Sequence, residues 1–590
     1  MNKYRTNYCG QINEDYIKKE LTLSGWIENI RDHGGIIFVD LRDETGVIQL
    51  VSNDDHMFDH LTKESTITAV GTIRKRSEDD FNHNIQTGTI ELLVEKITVL
   101  GKAKKVLPFD IKTSHEVGEE LRLKYRYLDL RNKKVRSNIN LRAQVLKFLR
   151  EKMDSLGFLE VQTPIITASS PEGARDFLIP SRKFHGKFYA LPQAPQVYKE
   201  LLMVGGVDKY YQIAPCFRDE DTRADRTMEF YQLDFEAAFV TEEDIYKIGE
   251  EIFYDTFTKF SNKKVSKPPF RRISYKESML KYGTDKPDLR NPLEITNISH
   301  LFENTTFKPF QKAIIRAIKV DDIGTNSNSW FNDIVDYASS IGMPGIGYIT
   351  LLEDNSLKGP IAKFLTPEEQ EKLIKETNMK TNSVLFFIAN KKEEIAAKYA
   401  GLIRTYLGVK MELIDKDSFE FCIINDFPMY SYNDGEKKYD FCHNPFSLPK
   451  GGIDSLKNNN LEDIIAYQYD FVCNGYEMSS GALRNYDLEC LELAFEKVGY
   501  NKDVIKEKFK SLYNAFQYGA PPHGGMAPGI DRIIMLLNDV ENLREVQAFP
   551  TSASGQDNLM GSPSEVSEEQ LRELHIKIRQ QNIKNKVTEE

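Results

Sequence analysis

Cysteine is scarce and scattered: six residues in 590, at positions 9, 216, 422, 442, 473 and 490, with no C-x-x-C pair and no metal-ligand spacing. This excludes a disulfide framework and a thiolate zinc site, and predicts free thiols in a reducing compartment. No apolar run approaches the roughly 20 residues that span a bilayer, and the opening MNKYRTNYCG lacks the apolar core of a secretion signal. A cytoplasmic protein without membrane contact is expected. Positive charge is also in short supply. With 78 basic and 89 acidic residues the net charge is −11, which argues against general coating of nucleic acid but leaves room for a local basic track.

What the chain does have is length, enough for three or four domains at about 150 residues each. Residues 20–101 read as five short strands, with an Asp-Glu-Thr-Gly turn at 43–46 and almost no helix. That pattern predicts a small closed barrel of the oligonucleotide-binding kind. Arg31, Phe38 and Gln49 would offer a charge, a stacking ring and an amide edge to unpaired RNA bases. Taken alone, the residues favour the plainer reading, with Phe38 a core ring and Gln49 a solvated strand residue. Beyond a lysine-rich linker, Leu141, Val145, Leu149 and Met153 fall at helical spacing within 138–156, and Gly157 stops the helix. FLEVQTPIIT (158–167) then reads as a strand, and its Pro164 places that strand at an edge or an interface. Residues 285–419 are rich in Asn and Lys, with helical patches at 368–378 and 393–407. Ser567 and Gln570 form a capping box that opens the amphipathic stretch LRELHIKIRQQN.

The most informative stretch is CFRDEDTRADRTMEFYQLDFE (216–236), two apolar-alternating runs joined by a charged connector, which predicts a long-looped antiparallel hairpin. Arg218 and Glu220, two apart, share one face of an extended strand and present a cation and an anion to one ligand. A nucleotide suits them: Arg218 can clamp a phosphate, Glu220 can accept from an exocyclic amine, and Phe230 can stack on a base. A surface hairpin tied by ion pairs is the alternative. In GGMAPGIDRIIMLL (524–537), a glycine-rich strand end leads into a helix. Gly529 and the helix N-terminus would lie beside an anion, with Arg532 in the first turn.

The pattern F-R-x-E, a loop, then E-F-x-Q-x-D-x-E resembles motif 2 of the class II aminoacyl-tRNA synthetases, and the 524–537 run resembles motif 3. PEGARDFLIPSR (171–182) and FYALPQAPQVYKELLM (188–203) resemble the bacterial aspartyl members of that class. The resemblance covers nearly the whole chain. It implies an α+β multidomain protein: an OB-fold anticodon-binding barrel (1–107), an antiparallel-sheet catalytic domain in two parts (108–284 and 420–560), an α/β insertion (285–419) and a C-terminal extension (561–590). It implies an enzyme that joins L-aspartate to tRNA through an aspartyl-adenylate, using ATP and magnesium, and that works as a homodimer through the 138–167 helix and strand. Arg218, Glu220 and Arg532 would be catalytic. ATP would be held by Arg218, Asp219, Glu220, Phe230, Glu477, Gly529, Ile530, Asp531 and Arg532. Aspartate would meet Glu172, Gln196, Lys199, Arg218, Asp234, His443 and Arg484. Asp470 and Glu477 would hold the metal, hard carboxylate oxygens being what magnesium prefers.

Arg484 and Lys199 would face the substrate's side-chain carboxylate, and asparagine would leave both cations under-paired. Together with the PEGARD run they favour aspartate over the asparaginyl and lysyl branches, which share the barrel and motifs. A non-enzymatic RNA-binding paralogue should have lost some of Arg218, Glu477, Arg484 and Arg532, and all are present. Two positions depart from the usual bacterial pattern: Asn444 stands where a second His is common, and Thr227 where Gln is common. His33, in the turn 31–35, lies near where the family reads the third anticodon base. Members specific for the aspartate tRNA tend to carry Leu there, and members that also charge the asparagine tRNA tend to carry His. An imidazole donates or accepts and so tolerates either base edge, which implies relaxed choice between tRNA(Asp) and tRNA(Asn) and a functional link to a tRNA amidotransferase. A strictly tRNA(Asp)-specific enzyme, with His33 merely capping a turn, is the alternative.

Overall fold

The structure, a computed structural model, describes residues 2–33, 36–54, 56–169, 174–433, 435 and 437–579. Residue contacts divide the chain into two compact units, Met1–Val117 and Gly118–Glu590.

In the first unit, strands Glu20–His33, Ile36–Arg42, Val47–Val51, Thr66–Lys75 and Ile90–Gly101 close into a barrel in the order first, second, third, fifth, fourth. Strict alternation builds it. Val39, Leu41, Ile48 and Leu50 point into a core shared with Leu23, Ile67 and Leu92, while Phe38 and Asp40 occupy the other face of the same strand. The closing ladder needs a residue without a side chain at Gly71, where a Cβ would sit 2.1 Å from the carbonyl oxygen of Leu93. The expected five-stranded barrel is therefore what the sequence forms. Its unit extends past the expected edge at 107, because Phe109 and Ile111 are buried and Lys112 pairs with Glu28 at 2.8 Å.

The second unit is organised on an eight-stranded sheet. Its order is Arg271–Ser274, Phe421–Asn425, Gln468–Cys473, Tyr476–Leu483, His523–Met526, Glu229–Ala238, Lys209–Phe217 and Leu159–Glu160. The middle of the sheet is antiparallel and both edge strands join it in parallel. Helices Lys133–Ser155 and Glu242–Phe260 supply Val145, Leu149, Met153, Phe253 and Phe257 to a core that also takes Phe421 and Phe471 from the strands. Asn132 caps the first of these helices, accepting from the Lys134 N–H, so it starts earlier than the apolar spacing indicated.

A separate five-stranded sheet lies between the two halves of this unit. Its order is Ile295–Asn297, Ile314–Val320, Val384–Asn390, Gly347–Leu351 and Leu357–Lys358, antiparallel throughout. Apolar clusters built partly on alternate residues of Val384–Asn390 cover it: Val384, Phe386 and Ile388 in one, Leu385 and Phe387 in the other.

Two expectations are corrected. The strand expected over 158–167 is only Leu159–Glu160, and Leu159, Ile165 and Ile166 are exposed. Pro164 has no N–H for a ladder, and the chain leaves the sheet before reaching it. The C-terminal helix, capped by Ser567 with Gln570 closing the capping box, spans only Glu568–Glu573. His575 takes φ 58°, while its N–H and that of Ile576 return to the carbonyls of Arg572 and Leu571, a closure that ends the helix.

Candidate active site

A cavity of about 460 Å³ opens within the second unit, lined from the hairpin, the 196–204 helix, the 443–446 turn and the glycine-rich strand end. The hairpin forms in register from Lys209 opposite Ala237 to Phe217 opposite Glu229. Arg218 and Glu220 both line the cavity, but from the connector just beyond the strand's end, so shared strand parity is not what unites them. The Arg218 N–H donates to the Met228 carbonyl at 2.9 Å, fixing the exit of the strand. Its guanidinium carbon lies 5.0 Å from the centre of the Phe230 ring, and its Nε is buried without a partner. A cation stacked on an aromatic face and holding an unspent donor is ready for an anion that brings its own planar group. Glu220 pairs with Arg226 at 2.8 Å, a partner that lies late in the connector. Thr227 also lines the cavity; its hydroxyl donates to the Glu229 carbonyl at 2.7 Å.

Two cations and two anions are buried together at this site. Lys199 Nζ sits 3.0 Å from Asp234 Oδ2 and 3.2 Å from Glu236 Oε2. Arg484 grips Glu236 with Nε (2.8 Å) and Nη2 (3.1 Å). All four side chains are at most 3% exposed. The fork of Arg484 is thus not left open for the substrate alone, as its sequence position suggested; Glu236 already holds it. Burial pushes the Asp234 carboxyl up to about 6 against the pull of Lys199. Burial acts on Glu236 in the same direction, but the charges of Arg484 and Lys199 outweigh it and hold that carboxyl at about 2. Asp234 keeps one oxygen, Oδ1, buried and unpartnered at a residue that lines the cavity. An unspent carboxylate oxygen in that position suits a substrate ammonium group.

Behind this cluster a second layer continues. Gln196 donates to Glu200 Oε1 at 2.6 Å, and His523 Nε2 lies 3.3 Å from Glu200 Oε2. The other ring nitrogen of His523 faces the Pro521 carbonyl at 2.8 Å, so both nitrogens meet acceptors. Burial alone would lower the pKa of this imidazole, but the bonded Glu200 carboxylate raises it. Sequence reasoning missed Glu236, Glu200 and His523. Glu236 was discoverable, since it stands two residues from Asp234 on a strand and shares its face.

The nucleotide-facing candidates converge on the same cavity. Gly529 caps helix Ile530–Leu537, and an added Cβ there would meet nothing closer than 3.8 Å, at an ordinary φ of −75°. Arg532 lines the cavity and donates to the Glu477 carbonyl at 2.7 Å. Asp470 is buried with Oδ1 unpartnered; burial and the neighbouring Glu477 carboxylate raise its pKa. An orphaned carboxylate oxygen beside a second carboxylate fits a hard divalent cation, although the described residues contain no cluster of three or more candidate metal ligands. His443 lines the cavity and packs edge-on to Phe427, and burial lowers its pKa. Asn444 accepts from the Phe446 N–H at 2.9 Å, acting as a turn residue beside it.

Three positions named from the sequence take other parts. Ile530 is a core residue, and Asp219 does not line the cavity; its N–H donates to the Arg175 carbonyl at 2.9 Å. Asp531 reaches the cavity, but Arg142 (2.5 Å) and the Tyr231 N–H (3.0 Å) engage its two oxygens, fastening the motif 3 helix to neighbouring elements. Glu172 lies outside the described residues.

On the barrel, Arg31, Phe38 and Gln49 share a face: Arg31 pairs with Phe38 in the ladder, and Gln49 pairs with Asp40, two residues beyond Phe38. They are not free groups. Arg31 is bidentate to Asp40 at 2.7 Å on both nitrogens and touches Gln49 at 3.1 Å, while Gln49 donates to Glu91 at 2.7 Å. The sequence reading lacked these acidic partners, which come from other strand positions. The backbone of His33 pairs with Ile36; its side chain lies outside what the structure describes.

Two known domain families match this chain. Residues 21–100 match the OB-fold nucleic acid binding domain, and residues 118–553 match the tRNA synthetases class II (D, K and N). The chain is 50% identical over 589 residues to the aspartate–tRNA(Asp/Asn) ligase of Ehrlichia chaffeensis, covering 98% of this chain and 99% of that protein. It is 48% identical over 591 residues to the protein of the same name from Rickettsia canadensis, covering 98% of each. Among solved structures, asparaginyl-tRNA synthetase from Pyrococcus horikoshii complexed with asparaginyl-adenylate shares the fold, with a TM-score of 0.56 at 19% identity over 92% of this chain and 97% of that one. The arginine-bearing hairpin, the glycine-capped motif 3 helix and the match over residues 118–553 lead to one assignment: the chain belongs to the class II tRNA synthetases (D, K and N).

Proposed function

We propose that the protein attaches L-aspartate to tRNA(Asp) and tRNA(Asn) in two steps, through aspartyl-adenylate formed from ATP. The observation that carries the amino-acid choice is the buried set Lys199, Asp234, Glu236 and Arg484. Lys199 and Arg484 line the cavity and, in this reading, donate to the substrate's side-chain carboxylate in addition to Asp234 and Glu236, while the unpartnered Asp234 oxygen accepts the ammonium group. Asparagine, with a neutral side chain, would forgo those charge-assisted bonds.

In the first step the ionised α-carboxylate attacks the α-phosphorus in line and pyrophosphate leaves. A carboxylate near pKa of about 3.7 needs no general base. Arg218 and Arg532 neutralise charge developing on the phosphate, Phe230 stacks the adenine, and Glu220 orients its amine. Asp470 and Glu477 would hold magnesium, which supplies further charge neutralisation on the phosphates. Gln196 and His443 line the same cavity and serve the aspartate, as does Glu172 in our assignment. In the second step a ribose hydroxyl of the tRNA terminus attacks the mixed anhydride. The barrel face carrying Arg31, Phe38 and Gln49 reads the anticodon, and His33 relaxes the choice at its third base.

The relatives named aspartate–tRNA(Asp/Asn) ligases support dual tRNA use, which in turn calls for an amidotransferase to convert Asp-tRNA(Asn). Exposed Leu159, Ile165 and Ile166 support a homodimer through the segment after the first long helix. Six free cysteines, and no described helix long and apolar enough to cross a membrane, accord with a cytoplasmic enzyme. Pyrophosphate exchange run separately with aspartate, asparagine and lysine tests the first step, and only aspartate should support it. Charging of purified tRNA(Asp) and tRNA(Asn) tests the second. A specificity ratio above roughly a hundredfold, about 2.7 kcal/mol, would remove the dual assignment.

A further inference from the structure

We infer that Lys286 is a resident cation of the nucleotide site: its ammonium group pairs with Glu477 and Asp285, beside the unpartnered Oδ1 of Asp470, in the free enzyme and transfers to a phosphate oxygen when a divalent cation and ATP bind. This inference rests on the nucleotide assignment above and adds a residue to it. Lys286 falls within the stretch that the sequence assigned to the insertion, yet its side chain lines the active-site cavity. Its Nζ lies 3.4 Å from Glu477 Oε2 and 2.6 Å from Asp285 Oδ2.

Lys286 lies within ion-pair distance of two carboxylates, Asp285 and Glu477, and Glu477 is one of the two candidate magnesium ligands. Asp470 Oδ1 remains buried and unpartnered even with Lys286 present, so the lysine only partly satisfies the site. A monovalent group on a flexible four-carbon stem is a placeholder that a hard dication can displace.

The backbone beneath it is anchored, so the stem is the part free to move. Gly283, at φ 67°, lies so close to the 393–410 helix that a Cβ would sit 2.2 Å from the Ala397 carbonyl oxygen and 2.5 Å from the Gly401 nitrogen. Ser278 donates its hydroxyl to the Thr284 carbonyl at 2.6 Å. Further on, Arg404 donates to the Asp288 carbonyl at 3.0 Å, and Arg290 pairs with Asp288 at 2.8 Å. The segment is thus clamped on both sides of the lysine.

Lys286→Met tests the idea with two readouts of opposite sign. Binding of Mn²⁺ alone, followed by electron paramagnetic resonance, should tighten at least fivefold because a competing cation is gone. ATP affinity measured calorimetrically with magnesium present should weaken at least tenfold, and Lys286→Arg should recover part of it. Mn²⁺ binding that is unchanged or weaker in Lys286→Met overturns the proposal. So does ATP affinity within twofold of the parent. A thermal midpoint matching the parent shows that the fold is retained, and if Lys286→Met does not reach it, Lys286→Gln is read by the same two criteria. Asp470→Asn should lose Mn²⁺ binding in either case. If the parent itself binds no ATP, the nucleotide assignment fails, whereas the Mn²⁺ comparison still reports on Lys286.

Discussion

Asp234 carries the sharpest consequence of burial. Its carboxyl, pushed up to about 6, is protonated below that pH and then cannot accept fully from a substrate ammonium. Affinity for L-aspartate should therefore fall as pH drops through about 6, and Asp234→Asn should bind more weakly with a flatter profile in this range. Calorimetric titration between pH 5 and 8 checks this; a parent profile flat across pH 6 would contradict it. The folding contribution has the same physical origin. A raised carboxyl stabilises the fold only while protonated, and that part is lost as pH rises through about 6. Glu236 behaves in the opposite sense. Held at about 2, it contributes stability above its ordinary range, which is lost as pH falls toward 2. Asp234 was legible through a motif, Glu236 stood in the same motif without a role, and His523 and Lys286 were not legible. Their importance comes from partners distant in sequence, Glu200 and Glu477, and no local pattern announces such a meeting.

At the level of elements, Gly529 separates packing from ligand binding. Ala there has φ −75° available and no neighbour within 3.8 Å, so Gly529→Ala should fold normally. If nucleotide needs the open space beside the motif 3 helix, ATP affinity should still drop tenfold or more. Equal thermal midpoints combined with unchanged ATP binding would show that the space is not used. Gly481 is a contrasting case, since a Cβ there would lie 2.4 Å from the Tyr469 ring. The hairpin, the barrel strands and the Ser567–Gln570 capping box could be read in advance because each depends on local alternation or a capping side chain, whereas the Asn132 cap was not read. The 158–167 stretch was over-read as a strand. Its β-prone composition was visible, but whether it lies against a sheet depends on partners that the segment itself does not encode.

For the whole molecule, the exposed Leu159, Ile165 and Ile166 make quaternary structure testable. Sedimentation should return twice the chain mass, and Ile166→Glu should shift the population to single chains without lowering the thermal midpoint of the barrel. A parent that sediments as one chain at micromolar concentration would exclude the homodimer. The barrel and the two-part catalytic sheet were legible in outline, because motif spacing marks where the catalytic chain is interrupted. The edges were not, because they are set by burial: Phe109 and Ile111 carry the barrel unit forward, and the clamped segment around Lys286 returns the start of the insertion to the active site.

The sealed ion cluster also separates the protein's substrates by their sensitivity to salt. Lys199, Asp234, Glu236 and Arg484 are almost fully withdrawn from solvent, so dissolved ions cannot screen them as they screen exposed charges. A tRNA, by contrast, meets the protein across an exposed surface and releases counterions as it docks. Raising potassium chloride from about 50 to 200 mM should leave the dissociation constant for aspartate within roughly twofold while tRNA affinity falls by an order of magnitude or more. An enzyme built this way holds its amino-acid fidelity constant through shifts in cellular ionic strength, and those shifts set only how quickly tRNA is captured and released.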